Sequence, residues 1–109
     1  MEKEKYLYIW IDDIRPVPDI IKKNYEYIVI AQDYEQAIHL LNTKEFFRDF
    51  KIIIDFDHDI GVGGTGYDIA KYIVENEIKI NYFSVHSSNP IGKFNIVQLL
   101  THYGYTYLI

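Results

Sequence analysis

The sequence predicts an α/β domain built on a parallel sheet covered on both faces. Three observations predict it. Five short, nearly continuous β-favouring runs recur along the chain, and segments with apolar residues three and four apart lie between them. Strands of that kind are buried on both faces, and strand–helix alternation is how chains build such sheets. Three of the runs end in polar clusters, as expected where chemistry sits beyond the carboxyl ends of parallel strands. The 109 residues have the length of one domain, 1–109, and no repeat, linker or low-complexity segment divides them.

Taken in order, Tyr6–Ile11 is the first strand and stops at Asp12-Asp13. Arg15-Pro16-Val17-Pro18 forbids a helix from starting at once, so the first helix is shortened to a turn or two in Asp19–Asn24. Tyr25–Ala31 is the second strand. Asp33 caps a helix whose apolar stripe is Ala37, Ile38, Leu40 and Leu41. Lys51–Phe56 is the third strand and runs into Asp55-Phe56-Asp57-His58-Asp59. Tyr67, Ala70, Ile73 and Val74 give the same helical spacing after Gly66. Ile78–His86 is the fourth strand and ends in His86-Ser87-Ser88-Asn89-Pro90. In Ile91–Tyr103, Phe94, Val97 and Leu100 share one helix face, Ile96 and Leu99 widen it, and Gly104 stops it. Tyr105–Ile109 is a short fifth strand, and no helix is expected after it.

Composition narrows the function. There is no cysteine, hence no disulfide, thiolate metal site or thiol nucleophile. The apolar stretches are too short to span a bilayer. The opening MEKEK leads into no signal region, so a cytoplasmic location without membrane contact is expected. The formal charge is 11 − 16 = −5. Non-specific nucleic-acid binding is therefore not expected.

The topology sends three polar clusters to one edge. Asp12, Asp13, Asp55, Asp57 and Asp59 repel one another there unless a cation or raised pKa values relieve them. Oxygen donors of this kind suit Mg²⁺ or Mn²⁺, with Ca²⁺ as a further fit. A single aspartate after a strand serves equally well as a helix cap, and it is the two separate clusters that point to a metal. His58 and His86 share the neighbourhood and can ligate a metal, move protons near neutral pH, or bond a backbone carbonyl. His39 and His102 fall in helical segments and read as surface or packing residues.

The loop Gly61–Gly66 leads into a helix, where Gly64, Thr65 and Gly66 can present backbone N–H groups to a phosphate or form a plain surface loop. Ser87, Ser88 and Asn89 can donate to phosphate oxygens, and Asn89 can instead cap the next helix, with Pro90 in its first turn. Arg15 can clamp a phosphate or neutralise the acids beside it.

Trp10 to Pro16, Asp57 to Gly61, Thr65 to Asp68 and Val85 to Gly92 together resemble the cyclic-phosphate processing receiver-like domains, a divergent branch of the receiver domains of two-component signalling. The resemblance implies a flavodoxin-like, receiver-like three-layer sandwich with a five-stranded parallel sheet, its first helix shortened and its final helix missing. It implies Asp12, Asp13 and Asp57 as cation ligands, with Asp59 beside them, and adds His58 and His86, which an ordinary receiver lacks. The lysine that a receiver carries after its fifth strand has no counterpart beyond Lys93, which speaks against a phosphorelay switch.

The expected activity is metal-dependent phosphoester cleavage of a cyclic phosphate or cyclic nucleotide, with His58, His86 and Asp57 catalytic. A second reading is a non-catalytic sponge for a nucleotide-derived signal, of the kind a phage would encode. A third is a degenerate receiver acting as an adaptor. Removing the five clustered aspartates leaves 16 − 5 = 11 acidic against 11 basic residues, so the whole net charge is assigned to the expected cation site.

Overall fold

The computed structural model describes residues 4–108. Its sheet has four parallel strands: β1 (Tyr6–Ile11), β2 (Tyr27–Ala31), β3 (Lys51–Phe56) and β4 (Tyr82–Val85), in the order β2-β1-β3-β4. The connections carry α1 (Asp19–Asn24), then α2 (Tyr34–Leu41) with α3 (Lys44–Asp49), then α4 (Gly66–Glu75). The helix α5 (Pro90–His102) follows β4. The α/β receiver-like architecture is therefore as expected, and the first helix is short at six residues.

The strand count is not as expected. The Tyr105 N–H still bonds the Leu100 carbonyl at 3.0 Å, closing the turn after α5. Only the next residues reach β4, where the Phe83 N–H bonds Thr106 at 3.0 Å and the Leu108 N–H bonds Phe83 at 2.7 Å. The result is a single bridge between Phe83 and Tyr107 in place of a fifth strand. Ile109 lies outside the described residues. Two other strands are shorter than their apolar runs because helix ends claim the first residues. Ile78 donates to Ile73 at 3.0 Å after α4, and Tyr25 donates to Ile21 at 3.0 Å after α1.

The helix α3 was not anticipated. Phe46, Phe47 and Phe50 turn the segment after Thr43 onto the core, making α3 a single short amphipathic piece. In α5 the buried line is Gly92, Ile96 and Leu100, so Phe94, expected inward, is 62% exposed.

The two sheet faces are unequal. Leu7, Ile9, Ile11, Ile52, Ile54, Phe56, Phe83 and Val85 point into the main core beneath α2, α4 and α5. Tyr8, Trp10 and Ile53 point to the other face, covered by Val17 and Ile21 from the α1 connection and by Leu108. Burying each large apolar side chain contributes roughly 1.5–3 kcal/mol, which makes the first face the main source of stability.

Candidate functional site

Side chains alternate across a strand, and paired residues of parallel strands share a face. Trp10 pairs with Asp55, and Asp55 with Ser84. Two residues further along, Asp12, Asp57 and His86 extend the same row past the strand ends. The ladder carries them: the Asp57 N–H bonds Ile11 at 2.9 Å, the His86 N–H bonds Phe56 at 3.0 Å, and the Asp12 N–H bonds Ala31 at 3.1 Å. The row sits on the thinly covered face, and one ligand atom from each of the three residues lies within 4.8 Å of the others.

His86 is the centre of this edge. Its Nδ1 is 2.6 Å from Asp55 Oδ1 and its Nε2 is 2.9 Å from Asp12 Oδ2. The ring lies flat on the Trp10 indole, centroids 3.8 Å apart and planes 5° apart. Behind it, the Tyr8 hydroxyl donates to Asp55 Oδ2 at 2.5 Å. Asp12 Oδ1 accepts from the Ile14 and Arg15 N–H groups at 2.9 and 2.8 Å. Arg15 Nη1 donates to the His86 carbonyl at 2.9 Å, and Trp10 Nε1 donates to the Arg15 carbonyl at 2.9 Å. The loop after β1 is thereby tied to the end of β4.

These contacts set the protonation states. Burial drives the His86 imidazole towards its neutral form, but Asp55 and Asp12 outweigh it and raise its pKa above the usual histidine value. Burial pushes the Asp12 carboxyl up, and the two backbone donors with His86 outweigh that and hold it below the usual aspartate range. Burial, reinforced by the Asp55 carboxylate, pushes the Tyr8 phenol far up, so Tyr8 stays a donor.

The other expected residues are placed as follows. Asp57 is buried, and its Oδ1 accepts the His58 N–H at 2.8 Å. Asp13 stands outside the metal-holding group and leans towards Gly61, where a Cβ would meet Asp13 Oδ2 at 3.5 Å. Asp59 is exposed and also outside it, bonded to His58 Nδ1 at 3.0 Å. The His58 ring lies against Gly92, where any Cβ would overlap it, and so is laid on the first turn of α5.

Thr65 and Asp68 form a reciprocal capping box at the start of α4, and a Cβ on Gly66 would overlap the Asp57 carbonyl. Gly64, with φ at +152°, sits on the Tyr34 ring. Asn89 Oδ1 caps α5 through the Gly92 N–H at 2.9 Å, and Ser87 Oγ accepts the Asn89 N–H at 3.0 Å. Ser88 is exposed. Thr65 and Asn89 are thus engaged in helix caps, while Arg15 and Ser88 face solvent.

The two buried carboxylates Asp12 and Asp57 make an oxygen donor pair that fits Mg²⁺ or Mn²⁺, and the His86 imidazole joins it as a nitrogen ligand only when neutral. With His86 as imidazolium, three carboxylates (Asp12, Asp55, Asp57) and that one cation sum to two negative charges, the charge that one divalent ion balances.

Sequence reading did not assign Tyr8 and Trp10 to the site, and it counted Asp55 only among the clustered acids, with no role in holding His86. The signal for Asp55 was present: it is a carboxylate inside the apolar strand Lys51–Phe56, and a buried charge needs a partner. Its partner, His86, is 31 residues away, and only the sheet register joins them.

The sequence family described as the cyclic-phosphate processing receiver domain matches residues 7–102. Among solved structures, the chain is similar to the signal receiver domain of a protein described as a Luxo repressor from Vibrio parahaemolyticus. That match has 13% identity and a TM-score of 0.57, covering 97% of this chain and 78% of the other. A yeast Spc42 trimeric coiled-coil fusion matches at 18% identity and a TM-score of 0.56, covering 97% of this chain and 68% of that one. Both likenesses show the fold alone. No curated protein sequence matches. No helix among the described residues is long and apolar enough to cross a membrane.

Proposed function

Because the chain belongs to the cyclic-phosphate processing receiver family, we propose that the row Asp12–Asp57–His86 binds a cyclic phosphate ester, such as a cyclic nucleotide, and opens it by hydrolysis. The observation that carries the reading is His86 held at both nitrogens by Asp55 and Asp12, with Asp57 beside it. Asp12 and Asp57 would hold a Mg²⁺ or Mn²⁺ ion, which supplies polarisation of the phosphoryl oxygens.

The chain's own groups do the rest. His86 keeps a proton at Nε2 and gives it to the ring oxygen as that P–O bond breaks. Water forms the new P–O bond, its proton passes to His58, and the product is a phosphomonoester. Asp55, backed by Tyr8, fixes the ring and its tautomer. Arg15 uses one of its five N–H donors on the His86 carbonyl and keeps four for the anion. Ser87, Ser88 and the Gly64 N–H complete the phosphate contacts, since the Thr65 N–H is spent on Asp68 at 2.8 Å and the Gly66 N–H on the His58 carbonyl at 2.8 Å.

A panel of 3′,5′-cyclic nucleotides and 2′,3′-cyclic phosphates, incubated with the protein and Mg²⁺ or Mn²⁺, tests this by chromatography. The expected outcome is a phosphomonoester from at least one member, lost in His86→Ala and Asp57→Asn. One observation favours a second reading, sequestration without cleavage: both His86 nitrogens already have carboxylate partners. Tight binding with the ligand recovered intact establishes that reading against hydrolysis.

A further inference from the structure

A cavity of about 540 Å³ opens at the amino end of the sheet, the end opposite the Asp12–Asp57–His86 row. That volume is in the range of small-molecule sites. The short helix α3 creates it, since Phe47 and Phe50 form one wall while Ile78, from the connection after α4, faces the same space. The rim is cationic. Lys44, Lys51 and Lys79 all line the opening, three of the 11 basic residues of an acidic chain. Lys51 is paired with Glu4 at 2.6 Å. Among the described residues, no carboxylate lies within ion-pair distance of Lys44 or Lys79. Asn81, also at the rim, spends its carbonyl on the Ile52 N–H at 2.7 Å and keeps its amide hydrogens for donation.

An apolar interior with unpaired ammonium groups at its mouth selects for shape and charge together. A neutral apolar molecule gains the aromatic contacts but nothing from the lysines, which are already hydrated. An anion without an apolar body gains the lysines but leaves Phe47 and Phe50 unused. We propose that this cavity binds a small organic anion with an apolar body and one anionic head, of the class of medium-chain carboxylates. The body lies on Phe47, Phe50 and Ile78, and the head meets Lys44 and Lys79. The inference is independent of the phosphate chemistry, because no residue of the cavity belongs to that site.

Decanoate below its micelle concentration is the probe, with 1-decanol as its uncharged counterpart, both titrated calorimetrically into the full chain. The expected result is saturable binding of one decanoate per chain, with decanol about fivefold weaker or more, as two exposed ion pairs imply. The double variant Lys44→Ala/Lys79→Ala should bring decanoate down to the level of decanol. Both substitutions are on the surface, and an unchanged melting temperature verifies that the variant is folded. Asp57→Asn should bind decanoate as the parent does. Equal affinity for the two probes, decanoate binding unaffected by the double variant, or no saturable binding at all would each overturn the proposal.

Discussion

His86 Nδ1 lies 2.6 Å from Asp55 Oδ1, although the two residues come from different strand ends and 31 positions separate them in the chain. The bond converts an interior strand aspartate from a liability into the support of an imidazole. The Tyr8 hydroxyl takes the second Asp55 oxygen, so no lone carboxylate is left in the sheet.

The first prediction concerns the charge of that imidazole. In metal-free protein, Asp55 and Asp12 raise its pKa against the opposing effect of burial. A raised folded-state value stabilises the fold fully below the unfolded histidine pKa, and this is lost as pH rises through the folded value. An NMR titration should find His86 still protonated above the ordinary histidine pKa. In Asp55→Asn its titration should move down towards that ordinary value.

Removing the partner outright is a harsher test. Asp55→Ala leaves both the Tyr8 hydroxyl and His86 Nδ1 without an acceptor. The loss should be about 3–5 kcal/mol, the usual range for breaking a buried charged pair. Chemical denaturation measures it, and a loss under about 1 kcal/mol would mean that water replaces the carboxylate freely.

Metal addition should stabilise the fold by mass action. At a hundredfold excess over the dissociation constant the gain is about 2.7 kcal/mol, or roughly 10–20 °C in Tm for a domain of this size. Mn²⁺ and Mg²⁺ should both raise the melting temperature of the parent, and neither should move Asp12→Asn or Asp57→Asn. Asp13→Asn, outside the row, should keep most of the effect.

Two glycines separate fold from site. Gly66→Ala drives a Cβ into the backbone carbonyl of Asp57, which cannot move without dragging the end of β3. It should cost about 3 kcal/mol or more. Gly92→Ala meets the His58 side chain, at its ring and at its Cβ, and no backbone atom. The ring can turn away but the Cβ must shift, so the cost should be about 1–2 kcal/mol, with turnover affected more than stability. Equal denaturation midpoints for the two variants would contradict the geometry.

Acid sensitivity at α4 has a separate source. The Asp68 carboxyl is held below its usual range, chiefly by the Thr65 N–H, with the Thr65 hydroxyl and Lys71 assisting against burial. A lowered folded-state pKa gives stability that is present above the unfolded aspartate value and disappears as pH falls through the folded one. Asp68→Ala should cost about 1 kcal/mol near neutral pH, and the gap to the parent should close at acid pH.

The nearly continuous apolar runs made β1 and β3 legible, and the polar residues at their ends located the edge on which the candidate site stands. What sequence reading could not see is register. Asp12, Asp57 and His86 form one row because Ile11 pairs with Phe56, and Phe56 with Val85, and no local signal encodes that. The same limit hid Tyr8 and Trp10, whose ordinary reading is core packing. Tyr105–Ile109 looked like a strand because it is aromatic and β-branched, yet the end of α5 claims Tyr105 first. In α5 the helical spacing admitted two faces, and tertiary packing chose the one through Ile96 and left Phe94 outside.

Trp10 is the chain's only tryptophan, and its indole is stacked on His86 at 3.8 Å. The protein therefore carries its own optical reporter at the edge of the sheet. Indole emission is quenched by a neighbouring imidazolium more than by a neutral ring. Excitation selective for indole bypasses the 11 tyrosines, so the arrival of a cation or an anion at the row can be followed in real time on the unlabelled wild-type chain.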